Sequence, residues 1–230
     1  HTITLNISRS EKPWAGLFGQ VNGAVENLKV KGNVKLLALT AVEYPRAGGI
    51  AVYVEGGTIS NSSFEGDVTM STTSTHNNLM AGGIVAHLRN GTINGSKFDG
   101  KINALVANGS DYVYAGGIAG FANVDYGVAL NLTKNSVGRK DNTTVVKAIY
   151  SVYDNSRTYA GGIIGCIDNY SHNTTVTGNY SRIKQHAGHI DTLTYGHKNY
   201  DRGKFADNEE WLAVLGEAIY QYQKKTVRKM

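Results

Sequence analysis

Ala47-Gly48-Gly49-Ile50, Ala81-Gly82-Gly83-Ile84, Ala115-Gly116-Gly117-Ile118 and Ala160-Gly161-Gly162-Ile163 set out one tetrapeptide four times along the chain. The first three copies start 34 residues apart, and the fourth follows after 45. Trp14-Ala15-Gly16-Leu17 is a degenerate first copy. Self-similarity at such a period marks an array of structural repeats, each too small to bury its own apolar face and stable only against its neighbours.

The likeness extends on either side of the tetrapeptide. Gly57-Thr58-Ile59-Ser60-Asn61-Ser62-Ser63-Phe64-Glu65-Gly66-Asp67-Val68 aligns with Gly91-Thr92-Ile93-Asn94-Gly95-Ser96-Lys97-Phe98-Asp99-Gly100-Lys101-Ile102 at the same spacing. The first copy supplies Val25, Asn27, Val30, Gly32 and Val34 at matching places, and the fifth supplies Val176-Thr177-Gly178. The fourth copy departs through extra residues between Val124 and Tyr159.

Within each copy the apolar period is two, which predicts strands. Leu17/Gly19/Val21, Ile50/Val52/Val54, Ile84/Ala86/Leu88, Ile118/Gly120/Ala122 and Ile163/Gly165/Ile167 are apolar or small and are expected to point inward. Val25, Ile59 and Ile93 form a second inward row, and Val30, Phe64 and Phe98 a third. Stacked coils place like residues over like, about 4.8 Å apart. The paired glycines are expected to make tight corners with positive φ. The predicted fold is all-β: a single-chain β-solenoid (β-helix) over 1–203, of about five repeats starting near 14, 47, 81, 115 and 160. One coil per 34 residues is expected, because the two halves of a repeat do not resemble each other.

The C-terminal segment, 204–230, changes character. Asp207-Asn208-Glu209-Glu210 reads as a helix start with a capping-box arrangement, and Trp211, Leu215, Ile219 and Tyr222 follow at helical spacing. An amphipathic helix laid over the last coil, trailed by the basic tail, would cover an open strand edge that otherwise invites stacking with other chains. At the other end, self-association through the first coil around Trp14 is expected unless Thr2-Ile3-Thr4-Leu5-Asn6-Ile7, which alternates like a strand, closes it.

Composition narrows the function. The chain has 230 residues, a net charge of +5 and only 18 % charged residues, with much of the excess in Lys224-Lys225-Thr226-Val227-Arg228-Lys229. The body lacks the basic, aromatic-interleaved face of a nucleic-acid binder, so no nucleic-acid partner is expected. No window approaches the roughly 20 apolar residues of a membrane-spanning helix. Cys166 is the single cysteine, which rules out an internal disulfide framework. The chain begins at His1 rather than Met, so it is expected to be a processed product or a segment of something longer.

Ala-Gly-Gly-Ile-x-Gly followed by Gly-x-Ile-x-Asn-Ser-x-x-x-Gly-x-Val resembles the GLUG repeat of large bacterial surface and secreted proteins. These include adhesin-like proteins and immunoglobulin A-cleaving metallopeptidases. Ala81-Gly82-Gly83-Ile84 with Gly91-Thr92-Ile93-Asn94 is a close copy, and Gly116-Gly117-Ile118-Ala119-Gly120 matches the opening. Trp14-Ala15-Gly16-Leu17-Phe18-Gly19 with Val25-Glu26-Asn27-Leu28 is similar to the way such arrays begin. The resemblance spans roughly 14–178. It implies a β-helical stalk or recognition module, extracellular or at the cell surface, attached to something else and free of that peptidase's catalytic part. None of the seven histidines begins His-Glu-x-x-His.

Three constellations carry residue types suited to chemistry. His186, His189 and His197 cluster, but Ala187-Gly188 between the first two is a poor scaffold for a metal, so no metal site and no cofactor are expected. Glu65 and Asp99 should stack in neighbouring coils with Asp67 beside Glu65, the paired carboxylates a polysaccharide-cleaving β-helix would need; solvated turn decoration is the plainer reading. Cys166 has no histidine in the matching row of its neighbouring coil, so no catalytic thiol is expected.

The outward row of the first strand reads Gln20, Tyr53, His87, Phe121, Cys166, a ladder of flat side chains. Aromatic strips offer large contact area at little entropic cost, unless another part of the chain covers them. Tyr53, His87 and Phe121 are therefore the candidate binding residues. Tyr112, Tyr114, Tyr150, Tyr153 and Tyr159 lie in irregular stretches where solenoids place recognition. Asn-x-Ser/Thr triplets at Asn61, Asn94, Asn108, Asn142 and Asn173 are read as turn and ladder residues rather than glycan acceptors. The expected function is a non-catalytic binding or spacer module of an extracellular protein, contacting a host protein or a glycan. A polysaccharide-cleaving enzyme and a self-assembling fibre subunit are the alternatives.

Overall fold

The computed structural model describes residues 2–10, 12–38, 44–72, 78–106, 112–138, 144–150, 158–169, 174–181 and 185–187. Among them every regular element is a strand and all strand pairs are parallel. The expected helix over 211–222, His189, His197, Tyr153, Asn108, Asn142 and Asn173 lie outside the described residues, as do the side chains of His186 and Tyr150.

Four sheets run the length of the molecule in a solenoid-like arrangement. The first pairs Trp14–Ala15, Arg46–Gly48, Leu79–Gly82, Val113–Gly116 and Thr158–Gly161 in chain order. The second pairs Phe18–Val21, Ala51–Glu55, Val85–Arg89, Ala119–Val124 and Ile164–Asn169. The third pairs Ala24–Glu26, Thr58–Ser60, Thr92–Asn94, Leu130–Thr133 and Thr174–Thr177. The fourth is longer and holds Thr2–Ser10, Lys29–Ala38, Ser63–Thr72, Lys97–Asp99, Lys101–Val106, Ser136–Val137, Val145–Tyr150, Tyr180–Ser181 and Gln185–Ala187.

The register follows the repeat. Ala81 pairs with Ala47 and Ala115, Ile93 with Ile59 and Leu132, and Phe98 with Phe64 and Val137, so both the second and third inward rows stack as expected. The extra residues of the fourth copy enter at corners. Partners lie 34 apart at Arg89↔Asn123, 39 apart at Thr92↔Asn131, 44 apart at Lys101↔Val145 and 45 apart at Val113↔Thr158.

The first inward row needs correction. Ile50, Ile84, Ile118 and Ile163 join the main core, as do Val54, Leu88, Ala122 and Ile167. Their following neighbours Ala51, Val85, Ala119 and Ile164 join it too, because the chain bends at the glycines just before and both sides of the bend face inward. Ala86 then turns the other way and packs with Met80, Tyr114, Phe121 and Cys166 in a second cluster. Strict alternation fails at this one place, where the ladder passes from Val85↔Ala119 to His87↔Phe121.

The role given to the paired glycines also changes. Neither Gly82 nor Gly83 has positive φ; what they lack is volume. A methyl group on Gly83 would strike Gly117 O and the Phe98 ring, so this row is small because a coil carbonyl and a core aromatic press against it. Positive φ falls elsewhere, its longest column being Asn27, Asn61, Gly95, Lys134 and Gly178. Asparagine tolerates this left-handed turn better than most residues, which explains the Asn of the repeat. Beside that turn runs a buried polar ladder. Leu28 N donates to Ser62 Oγ (3.2 Å), Ser62 N to Ser96 Oγ (3.3 Å), Ser96 N to Asn135 Oδ1 (2.9 Å) and Asn135 N to Asn179 Oδ1 (3.0 Å). Each side chain satisfies an amide of the coil before it, which a buried corner requires.

At the N-terminal end Thr2–Ser10 pairs in register with Lys29–Ala38, so the alternating Thr2–Ile7 stretch does close the fourth sheet. The first strands of the other three sheets have no preceding strand among the described residues.

Gly66 and Gly100 combine positive φ with a carbonyl of the previous coil where a Cβ would stand. Gly100→Ala is expected to destabilise by about 2 kcal/mol or more. Gly23, with open space around it, should accept Ala nearly unchanged. Urea midpoints of the two variants check this.

Candidate functional site

Two outward columns face each other across the bend between the first and second sheets. One is the residue just before the repeated alanine: Trp14, Arg46, Met80, Tyr114 and Tyr159 stack in register. The other is the expected ladder, and its register holds at every step: Gln20↔Tyr53, Tyr53↔His87, His87↔Phe121 and Phe121↔Cys166. Rings in the two columns touch, with Tyr114 and Phe121 centroids 4.9 Å apart.

The ladder is lined up as the repeat predicts but is not uniformly exposed. Phe121 is 9 % exposed and Cys166 4 %, covered by Tyr114, Met80 and the flanking Tyr112 and Tyr159. Tyr112 lies 6.0 Å from Tyr114 and 5.9 Å from Tyr159, ring to ring. This end of the corner is a buried aromatic core. Burial pushes the Tyr159 phenol up to about 12 and raises those of Tyr114 and the Cys166 thiol further, so no reactive thiolate is available near neutral pH.

Toward the N-terminal coil the corner opens. Trp14 is 37 % exposed and Tyr44 48 %, Tyr53 is half-buried and Gln20 is exposed. Arg46 sits among them, its guanidinium carbon 5.9 Å from the Trp14 ring, 5.7 Å from Tyr44 and 5.3 Å from Tyr53. Such contacts hold an arginine by its faces. Arg46 Nε is buried without a hydrogen-bond partner, and the described residues pair no carboxylate with this guanidinium. A second arginine nearby is neutralised: Arg89 donates to Asp125 Oδ2 (2.8 Å) and approaches Glu55 Oε1 (3.4 Å), while Gln20 Nε2 donates to Glu55 Oε2.

His87 closes the inner side of the opening. Its ring lies 4.9 Å from that of Tyr53 and 5.3 Å from that of Phe121, and it is 8 % exposed. Its Nε2 lies 2.6 Å from Asn123 Oδ1, a pure acceptor, so Nε2 carries the proton and Nδ1 presents a lone pair. That Nδ1 is buried and unpartnered. Burial, reinforced by Arg46, depresses the imidazole from 6.5 to about 4, so His87 is neutral at physiological pH.

Of the three candidate residues, Tyr53 is therefore the one that reaches solvent, with His87 packed against it and Phe121 packed against His87. Of Trp14, Tyr44 and Arg46, the sequence points to Trp14 alone, and only as a place of self-association. The signal for two of them was present: the position before the repeated alanine reads Trp, Arg, Met, Tyr, Tyr.

The carboxylate candidates are engaged locally. Glu65 and Asp99 do pair across neighbouring strands, but Glu65 meets Lys31 Nζ at 2.8 Å and Asp99 Oδ1 accepts from Thr144 Oγ1 at 2.9 Å. Asp67 Oδ1 accepts from the Lys101 amide at 2.9 Å. Among the described residues no three His, Cys, Asp or Glu side chains converge as a metal ion would need, and no helix is long and apolar enough to cross a membrane. Comparison with models of known families, with characterised proteins and with solved structures gives no match.

The sign of the His87 shift fixes a pH window. The unfolded chain takes up a proton near 6.5 and the folded one near 4, so this contribution to stability is complete above 6.5. It is lost as pH falls to about 4, by about 3 kcal/mol. His87→Gln should flatten the fall in urea midpoint over that window relative to the parent chain.

Proposed function

We propose that this chain is a non-catalytic binding and spacer module of a secreted or surface-anchored protein. It is a β-solenoid of about five coils, closed at its C-terminal end by the amphipathic helix over 211–222. It meets a host protein or a glycan through the open end of its aromatic corner. The observation that carries this reading is the contrast within the corner: the same two columns are sealed around Phe121 and Cys166 and open around Trp14, Tyr44 and Tyr53. Aromatic side chains left half-exposed around an arginine that no carboxylate of the described residues pairs suit recognition better than stability. The similarity of the repeat to GLUG repeats supports an extracellular setting and a role as part of a larger protein. The local partners of Glu65, Asp67 and Asp99 speak for turn decoration over polysaccharide cleavage.

A second reading has its own observation. Trp14 and Phe18 are each 37 % exposed at strands with no predecessor in their sheets among the described residues, which favours end-to-end association of copies. Sedimentation at increasing concentration separates it from recognition by the corner.

The test is an array of immobilised glycans and extracellular-matrix proteins, probed with the parent chain and with Tyr44→Ala/Tyr53→Ala. The parent is expected to bind at least one component, and the double variant to lose at least about tenfold in affinity, since half-buried aromatic anchors each contribute about 1–2 kcal/mol. Binding that survives the double change, or no binding at all, would sink the proposal.

A further inference from the structure

Resting on that reading of the corner, we infer that its ligand is an acidic sugar, a carboxylate-bearing unit of an oligosaccharide held by Arg46 against Tyr53. Arg46 carries the one arginine charge of the corner that no carboxylate of the described residues neutralises, whereas Arg89, on the neighbouring rim, is matched by Asp125 and Glu55. Its guanidinium carbon lies over the rings of Trp14, Tyr44 and Tyr53, and no carboxylate of the described residues meets its N–H groups, so the N–H edge is what a ligand would engage. That edge matches a planar carboxylate with two parallel hydrogen bonds.

The second part of the argument is the pair of buried atoms without partners. Arg46 Nε is a donor and His87 Nδ1 an acceptor, and they flank one ring, that of Tyr53. The hydrogen bond from His87 Nε2 to Asn123 leaves Nδ1 no proton to donate. A ligand that satisfies both atoms brings an anionic acceptor and a hydroxyl donor to the two sides of the Tyr53 contact, together with an apolar face for the aromatic rings. An acidic sugar carries all three on one ring. A glutamate or aspartate side chain brings the carboxylate alone.

Saturation-transfer and titration NMR tests this on the full chain. The probes are galacturonate and glucuronate oligosaccharides and sialyllactose, each beside its neutral counterpart (carboxyl-reduced oligomers, lactose), with tetraglutamate as the acidic peptide. At least one acidic sugar is expected to bind tenfold or more above its neutral counterpart and above tetraglutamate. Arg46→Gln should lower that affinity roughly tenfold to a hundredfold, the range for a hydrogen bond to a charged group. Arg46→Lys, which keeps the charge but loses Nε–H and the planar fork, should restore little of it. Circular dichroism and the urea midpoint of each variant confirm the fold, and the Lys variant remains decisive if Gln unfolds the corner. Equal binding of acidic and neutral sugars overturns the acidic-sugar inference while leaving corner recognition standing. Preference for tetraglutamate, affinity unchanged in both Arg46 variants, or no binding to any sugar overturns it as well; in that last case the array described above decides separately whether the corner binds anything.

Discussion

Parallel stacking in register is the constraint on which everything else in this molecule depends. Each backbone hydrogen bond between coils ties a residue to its counterpart one repeat away, so a side chain's nearest neighbours above and below are set by the repeat length. Rows are therefore selected as rows. Phe64 over Phe98 at 6.2 Å, with nearly parallel rings, is tolerable because both rings face the small row of Gly49 and Gly83. The Ser62, Ser96, Asn135, Asn179 ladder works for the same reason: each polar side chain finds the preceding coil's amide at hydrogen-bond distance. In an interior this regular, a change at one level is felt by two neighbours.

Much of this architecture was legible because a repeat writes its register directly into the sequence. The 34-residue spacing placed Tyr53 beside His87 and Ile59 beside Ile93 without any knowledge of angles. What it could not supply was the path of the chain between rows. Ile84 and Val85 both face inward because the chain turns there, and a period-two pattern read through a bend assigns Ala86 to the wrong side. The glycines misled in a related way. Sequence shows that a position is small, not whether a torsion or a neighbouring carbonyl demands it, and here the left-handed column sits at Asn27, Asn61 and Gly95 instead.

The candidate site was half legible for the same reason. Alignment gives columns but not the distance between columns, so the row of Tyr53, His87 and Phe121 was found while the facing row of Trp14, Arg46 and Tyr114 was not read as its partner. Exposure depends on that facing row. Where it presents Tyr114 the corner closes over Phe121, and where it presents Arg46 the corner stays open around Tyr53. One substitution pattern along a single column thus converts a core at one end into a surface at the other.

The fourth copy shows how the architecture accommodates novelty. Its additional residues are taken up in three places, all between strands, and pairing resumes afterward with no loss of phase. Corners are thus free to lengthen independently of the sheets, because a longer connection adds little to the entropic cost of closing it. Lineages carrying such coils can vary what projects from one side while inheriting the girder unchanged, and a designer can graft a foreign peptide at those joints with the rest of the molecule acting as a rigid shelf.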